Sequence, residues 1–477
     1  MNAHLRVLLI NPAFSLSTVI KAHGGHLIPL NLCYLAAYAR KVVSGIEVRI
    51  LDADALGYSL DETVTEAIKF SPDLIGVTSN TCSFDCAVHL IQFLKRRMPD
   101  VRIVLGGSHS SALPERSLRE SSADYVVAGE GEMTFSELIQ AVKNNRDDFG
   151  QIKGLAYLDE NGNYHQNPSR DLIADLDILP FPARDLVDNT LYTPAPTKRV
   201  GMGPNTMICT SRGCTHNCGF CAAHAVWTRK IRMRSPASII AEIKECVEKY
   251  GITSINISDE FFTANRDRVH RICRLMISEN CVIPWVCSAR AERLDEETLK
   301  IMKEAGCREI SFGIESGNPE ILKRIDKKLD LNEALRVIRA TQRAGIKTHA
   351  SYILGYMGEN VETMKDTICF AKQLNTDVAA FFIASPLPGS RFYNEVSEKG
   401  YLRPDASWEN YSPLSNNLSV VCFPGLSPET IRYWHRKAIR TYYFRMSYII
   451  ARLMRIRHWY EVMNLVGGIK IFFSIRK

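Results

Sequence analysis

Short apolar and β-branched runs alternate with helical periods along the first third of the chain. The runs are VLLINP at 7–12, VRILDA at 48–53, LIGVTS at 74–79, RIVLGG at 102–107 and YVVAGE at 125–130. Between them lie segments such as DCAVHLIQFLKRRM, in which Val88, Ile91 and Leu94 recur at helical spacing. Five strands alternating with helices predict an α/β domain over residues 1–145, a doubly wound parallel sheet of Rossmann-like type. Ligands of such sheets sit outside the carboxyl ends of the strands. Those ends carry Asn11, Thr78 and Ser79, Gly106, Gly107 and His109, and Gly129 and Glu130. Small, polar, glycine-rich ends suit close approach of backbone to a flat or phosphorylated ligand.

Residues 146–195 lose this periodicity and end in DILPFPARDLV, where Pro180 and Pro182 punctuate an irregular linker. A second alternation follows, with candidate strands MICTS, SINISD, WVCSAR, EISFGIE, THASYILG and VAAFFIAS. Its helices start with Ser235 before Pro236 and with Asp295, and YGITSI, AGCREI and AGIKTH each close a helix with glycine. Six strand-helix units between residues 196 and 404 predict a partial (β/α)6 TIM barrel, with a helical C-terminal region at 405–477.

A length of 477 residues suits about three folding units at roughly 150 residues each. The 14 cysteines are scattered and the start, MNAHLR, is polar, so the expected compartment is a reducing cytoplasm and not an oxidising one. No stretch approaches the roughly 20 apolar residues of a membrane span; LVGGIKIFFSI is short and carries Lys470. The net charge of +7 is concentrated at one end, since residues 431–477 hold eleven Lys/Arg against the single Glu461. There Arg432, Arg436, Arg440 and Arg445 interleave with Trp434, Tyr442, Phe444 and Ile449, a pattern for an interfacial helix on anionic lipid. The expected location is the cytoplasm with peripheral contact at the inner face of the membrane. No base-reading nucleic-acid module is recognisable.

The segment CTSRGCTHNCGFCAAH, 209–224, places Cys214, Cys218 and Cys221 within eight positions, just after the first strand of the second alternation. Three thiolates at this spacing can bind three irons of a [4Fe-4S] cube and leave the fourth open for a chelating molecule. The alternative is a structural zinc, whose fourth ligand would be Cys209, His216 or His224. Cys209 falls inside the expected strand and suits a small buried apolar role, and Cys82 and Cys86 read as core or loop residues.

The C-x3-C-x2-C motif, with Phe220 before the last cysteine, resembles that of the radical S-adenosylmethionine (SAM) superfamily. A barrel of this kind behind a five-stranded domain, with LPFPARDL, ISFGIESGN and ASPLPGSRFY, resembles the cobalamin-binding branch that holds anaerobic magnesium-protoporphyrin monomethyl ester cyclases and radical methylases. The resemblance implies that Cys214, Cys218 and Cys221 hold the cluster, that SAM chelates its open iron, and that one-electron cleavage yields a 5'-deoxyadenosyl radical. It makes Asp259, Glu260, Ser288, Arg290, Glu315, Ser316, Gly317 and Gly355 candidate contacts for SAM, and the strand ends of the first domain contacts for cobalamin. The protein positions the cofactors and excludes water; no general base is implied. No D-x-H-x-x-G motif occurs, so cobalt would lack a histidine from that source.

The function expected is radical modification of an unactivated carbon of a hydrophobic small molecule, by methyl transfer or by an oxidative or cyclising step. A flavodoxin or ferredoxin would be the electron donor. Two alternatives stand beside it: a methylthiotransferase acting on RNA or protein, and a zinc-stabilised binding protein without catalysis. The methylthiotransferase would need a second cysteine trio after the first strand, where Asn11-Pro12-Ala13 stands.

Overall fold

The computed structural model describes residues 4–14, 25–146, 148–194, 199–201, 203–412, 418–454 and 462. Strands β1 (Leu5–Asn11), β2 (Ile46–Asp52), β3 (Leu74–Thr78), β4 (Arg102–Gly106) and β5 (Tyr125–Val127) pair in parallel in the spatial order β2-β1-β3-β4-β5. The inner strands are apolar through their centres because both of their faces are covered, whereas β2, at the edge, carries Glu47 and the exposed Arg49. In β1, Val7 and Leu9 pack with Leu32, Ala36 and Phe135 on one face, while Leu8 and Ile10 pack with Val64, Phe84 and Ile91 on the other. The chain order reverses beside β1, so a crevice opens between β1 and β3 at their carboxyl ends.

The linker is partly ordered into this sheet. Strands β6 (Leu155–Leu158) and β7 (Tyr164–Gln166) add to it antiparallel beyond β5. They are four and three residues long: the apolar run of β6, LAYL, is too short to stand out, and β7, YHQ, is polar and largely exposed. Farther along, Arg184 is 1% exposed and donates to the Met207 carbonyl at 2.7 Å and to Glu242 at 2.7 Å. The proline-rich connector is therefore pinned beneath the second sheet.

That sheet begins with β8 (Asn205–Ile208). A short antiparallel pair follows, β9 (Ser211–Arg212) with β10 (Arg232–Met233). Then come β11 (Ser254–Ile257), β12 (Trp285–Ala289), β13 (Cys307–Glu315), β14 (Lys347–Leu354) and β15 (Val378–Ile383). Strands β8 and β11 to β15 lie side by side in chain order, all parallel. The expected caps are present: Ser235 Oγ accepts from the Ser238 N–H at 3.2 Å and Asp295 from the Thr298 N–H at 2.8 Å. β8 stops at Ile208, so Cys209 lies past the strand end and not inside it.

Side chains alternate across this sheet. Ile255, Cys287, Phe312, Tyr352 and Phe381 are buried, whereas Asn256, Ser311, Gly313, Ser351, Ala380 and Phe382 are half-buried and Ser288 is exposed. The helices cover one face only, and the open face is lined with small and polar groups.

The C-terminal region returns to both sheets. Trp408 donates to Glu120 at 3.2 Å, and the Glu409 N–H to Asp85 at 3.3 Å. The helix Pro428–Tyr443 lies on β15, where His435 Nε2 donates to the Phe381 carbonyl at 2.9 Å. Of the aromatic-apolar residues read from the sequence as lipid-facing, Trp434 and Tyr442 are buried in this packing, Ile449 is half-buried and Phe444 is exposed. Among the described residues no helix is long and apolar enough to cross a membrane.

Candidate active site at the strand ends

The loop after β8 carries the three cysteines. Its neck is closed by the β9–β10 pair and by Gly213, whose φ of +94° suits glycine and whose Cβ, if present, would lie 2.3 Å from the Lys230 carbonyl oxygen. Its far side is fastened at Gly219, whose N–H donates to the Ile325 carbonyl at 2.7 Å and whose carbonyl accepts from Phe392 N–H at 2.8 Å. All three cysteines are free thiols. Burial raises the Cys214 and Cys221 thiols, and the nearby Cys218 raises both further. Loading a metal centre therefore displaces protons from the loop.

The residues expected to bind SAM lie along the same edge, with different uses. Arg290 Nη1 stands 3.9 Å from Cys218 Sγ; the rest of its fork is held by Glu292 and by the Lys327 carbonyl at 2.5 Å. Lys327 Nζ in turn donates to Glu315 at 3.0 Å, both side chains being buried. Asp259 accepts from the Thr210 N–H at 2.6 Å and the Ser211 hydroxyl at 2.6 Å, clamping the start of the cysteine loop. Glu260 is exposed at this edge, and its charge raises the thiols of Cys214 and Cys221. Ser288 faces the open side of β12. Ser316 and Gly317 are engaged elsewhere, hydrogen-bonded to the Thr367 hydroxyl at 3.1 Å each. Gly355 is covered by Ile431 of the C-terminal helix.

A buried ionic network joins the loop to the first sheet. Arg212 donates to Glu130 at 2.9 Å and Glu132 at 2.5 Å, and Arg232 reaches both oxygens of Glu130 at 2.8 and 2.7 Å. Burial raises the Glu130 carboxyl, but Arg232 and Arg212 outweigh it and hold the group below its usual range. Glu130, expected to touch a cofactor, instead ties β9 and β10 in place.

The other strand-end residues of the first sheet do share one edge. Asn11 donates to Asp52 at 2.8 Å, Thr78 accepts from Asn31 at 2.7 Å, and the Gly129 N–H donates to the Ser111 hydroxyl at 3.0 Å. Gly106 and Gly107 close on Ser79: the Ser79 N–H donates to the Gly106 carbonyl at 2.9 Å, and a Cβ on Gly107 would lie 2.1 Å from the Ser79 carbonyl oxygen. His109 is fully buried, stacked on Phe84 at 4.0 Å and edge-on to Trp408 at 4.5 Å. Burial, then the Arg116 charge, lowers it to about 3, so the ring is neutral.

Residues 208–371 match the family described as the Radical SAM superfamily, and residues 16–139 the B12 binding domain. An uncharacterized methyltransferase of Pyrococcus horikoshii is 32% identical, over 98% of both chains. The chain belongs to the radical SAM superfamily, in its cobalamin-binding branch. The cytidylyl-2-hydroxyethylphosphonate methyltransferase of Streptomyces wedmorensis is 29% identical, over 88% of this chain and 86% of its own. Anaerobic magnesium-protoporphyrin IX monomethyl ester cyclases are also relatives. The fold matches that of the radical SAM methyltransferase TsrM from Kitasatospora setae, solved with cobalamin and a [4Fe-4S] cluster: TM-score 0.73, 20% identity, 99% of each chain.

This radical SAM enzyme thus uses a [4Fe-4S] cluster, SAM and cobalamin, and its residues fit them. Among the described residues no group of three or more His, Cys, Asp or Glu is gathered to hold a single metal ion. Three thiols that each bind a different iron need no such gathering. The zinc reading falls with family membership; of its proposed ligands, His224 Nε2 donates to the His216 carbonyl. At the first sheet's edge Ser79 Oγ, Ser110 Oγ and His109 Nε2 are buried without partners, hydrogen-bonding capacity that a bound cofactor can use. The sequence did not single out Lys327, Arg212 and Arg232, nor the open face of Ser311, Ser351 and Phe382.

Proposed function

We propose that this enzyme transfers a methyl group to an unactivated carbon of a small molecule that has an apolar part. Cys214, Cys218 and Cys221 hold the cluster, Arg290 steadies Cys218, and Ser288 and Glu260 meet the polar end of SAM. When bound, the cofactors supply a carbon-centred radical by hydrogen abstraction and the methyl group that quenches it. The first domain, residues 1–145, would take cobalamin against Asn11, Thr78, Ser79, Gly106, Gly107 and Gly129. Residues 146–195 join it to a partial (β/α)6 barrel, 196–404, followed by a basic C-terminal region, 405–477, whose Trp408, Glu409 and helix Pro428–Tyr443 brace both. The substrate lies on the open face of the second sheet, where Met207, Ala380 and Phe382 accept its apolar part and Ser311 and Ser351 its polar groups. A small one-electron carrier, a flavodoxin or ferredoxin, supplies reducing equivalents.

The observation that carries this reading is the cysteine loop, fastened at the edge of a sheet whose open face is small and polar. Methyl transfer is favoured over cyclisation because the full-length relative at 32% and the one at 29% are both named methyltransferases. The test is comparative mass spectrometry of extracts from cells with and without the gene, fed methyl-deuterated methionine. A product that appears only with the gene, heavier by one labelled methyl group, supports the reading. A gene-dependent product differing by oxygen or by loss of hydrogen would replace it with the oxidative one.

A further inference from the structure

Eleven large apolar side chains are strongly exposed among the described residues, and five of them fall between Tyr433 and Met454. Met446, Ile450 and Met454 recur every four residues on the helix Met446–Met454 and so form one ridge, 68%, 49% and 76% exposed. The helix is fixed in this orientation: Tyr448 donates to the Asp377 carbonyl at 2.8 Å and Arg452 pairs with the Asp377 carboxylate at 3.2 Å. On the preceding helix Ile431, Trp434, Ala438 and Tyr442 are packed inward, leaving Tyr433, Lys437 and Arg440 exposed and Arg432 and Arg436 half-buried. From residue 431 to 460 there are eight Lys/Arg and no Asp or Glu.

A ridge of flexible apolar side chains on the helix that follows Arg436, Lys437 and Arg440, none of which forms an ion pair among the described residues, suits one environment, the boundary between anionic headgroups and acyl chains. Nucleic acid would reward the cations but not the ridge, and a second copy would bring like charge against like. We propose that this C-terminal surface seats the protein peripherally on an anionic lipid bilayer. Met446, Ile450 and Met454 enter the headgroup boundary, while Arg436, Lys437 and Arg440 meet lipid phosphates. The proposal stands independently of the radical chemistry.

The test is co-sedimentation of the full-length protein with vesicles of phosphatidylcholine alone or mixed equally with phosphatidylglycerol. Wild type should pellet with the anionic vesicles, stay in solution with the neutral ones, and be released by salt. The combined Arg436→Glu, Lys437→Glu, Arg440→Glu variant should bind at least about a hundredfold more weakly. The combined Met446→Ser, Ile450→Ser, Met454→Ser variant should lose about tenfold or more while keeping its circular dichroism and iron content. Wild type remaining in the supernatant with anionic vesicles at low salt would overturn the proposal. So would undiminished binding by both variants, or a self-association of the vesicle-free protein that the serine variant abolishes.

Discussion

The carboxyl edges of the two sheets are built in opposite ways. The first is held by backbone and small side chains, with Gly107 against Ser79, Gly129 beside Ser111, and polar atoms left unpaired. The second is crowded with charged side chains in fixed partnerships, Arg290 with Glu292 and Glu315 with Lys327, around the cysteine loop. A bulky cofactor that approaches backbone needs side chains out of its way. A loop of thiols that becomes anionic on loading metal needs its surroundings held by counter-charges. Glu130 breaks the pattern: it sits on the first edge and serves the second.

The largest effect is expected there. Glu130→Gln leaves Arg232 and Arg212 buried with half their compensation, so urea unfolding should show a loss of about 3–5 kcal/mol. The folded-state pKa of Glu130 is depressed, so its contribution is present above the ordinary glutamate value near 4.3 and is lost as pH falls through the folded value. The variant should lack this part of the acid sensitivity. A variant as stable as wild type at pH 7 would show that the network does not hold the two edges together.

Two glycine substitutions sharpen the contrast, each costing roughly 3 kcal/mol locally through a positive φ and a backbone clash. Gly107→Ala should lose hydroxocobalamin binding and keep the iron-sulfur absorption after anaerobic reconstitution. Gly213→Ala should do the reverse. Loss of both cofactors in each variant would mean that the edges are not separable sites.

The smallest effect concerns Glu359, buried behind Gly355, where its Oε2 accepts from the Gly355 and Tyr356 N–H groups at 2.5 and 3.0 Å. Burial pushes its carboxyl up to about 7. Its stability contribution is therefore full below about pH 4.3 and lost as pH rises through about 7. Glu359→Gln keeps both hydrogen bonds without a charge, and thermal unfolding should show it more stable than wild type by roughly 1–3 kcal/mol above pH 7, with a flatter profile below. Equal stability at pH 8 would place the wild-type carboxyl in its ordinary range.

The first parallel sheet was legible because a strand covered on two faces leaves a continuous apolar run, as in VLLI, and the second because its strands alternate with helices that end in glycine, as in YGITSI and AGIKTH. The cysteines were legible because all three ligands lie on one loop. Strands β6 and β7 were not, being short and partly exposed. Nor were the partnerships of Arg232 with Glu130, 102 residues apart, or of Arg184 with Glu242, 58 apart. Nothing local distinguishes a buried arginine from a solvated one when its carboxylate comes from another element. The open face of Ser311, Ser351 and Phe382 was hidden for a related reason, since it depends on which side of the sheet the helices cover. The same limit applied to Trp434, whose aromatic stripe reads equally as a lipid face or as packing until β15 is seen beneath it.

The central claim is that the loop after β8 holds the cluster through three thiols, apart from the cobalamin edge. The direct measurement is iron, acid-labile sulfide and bound cobalamin in anaerobically reconstituted Cys214→Ala, Cys218→Ala, Cys221→Ala and Cys209→Ala. Each of the first three should lack the cluster and still bind hydroxocobalamin, and Cys209→Ala, whose thiol is buried and raised to about 12, should retain both. A cluster kept by any of the first three, or lost from Cys209→Ala, would contradict the assignment.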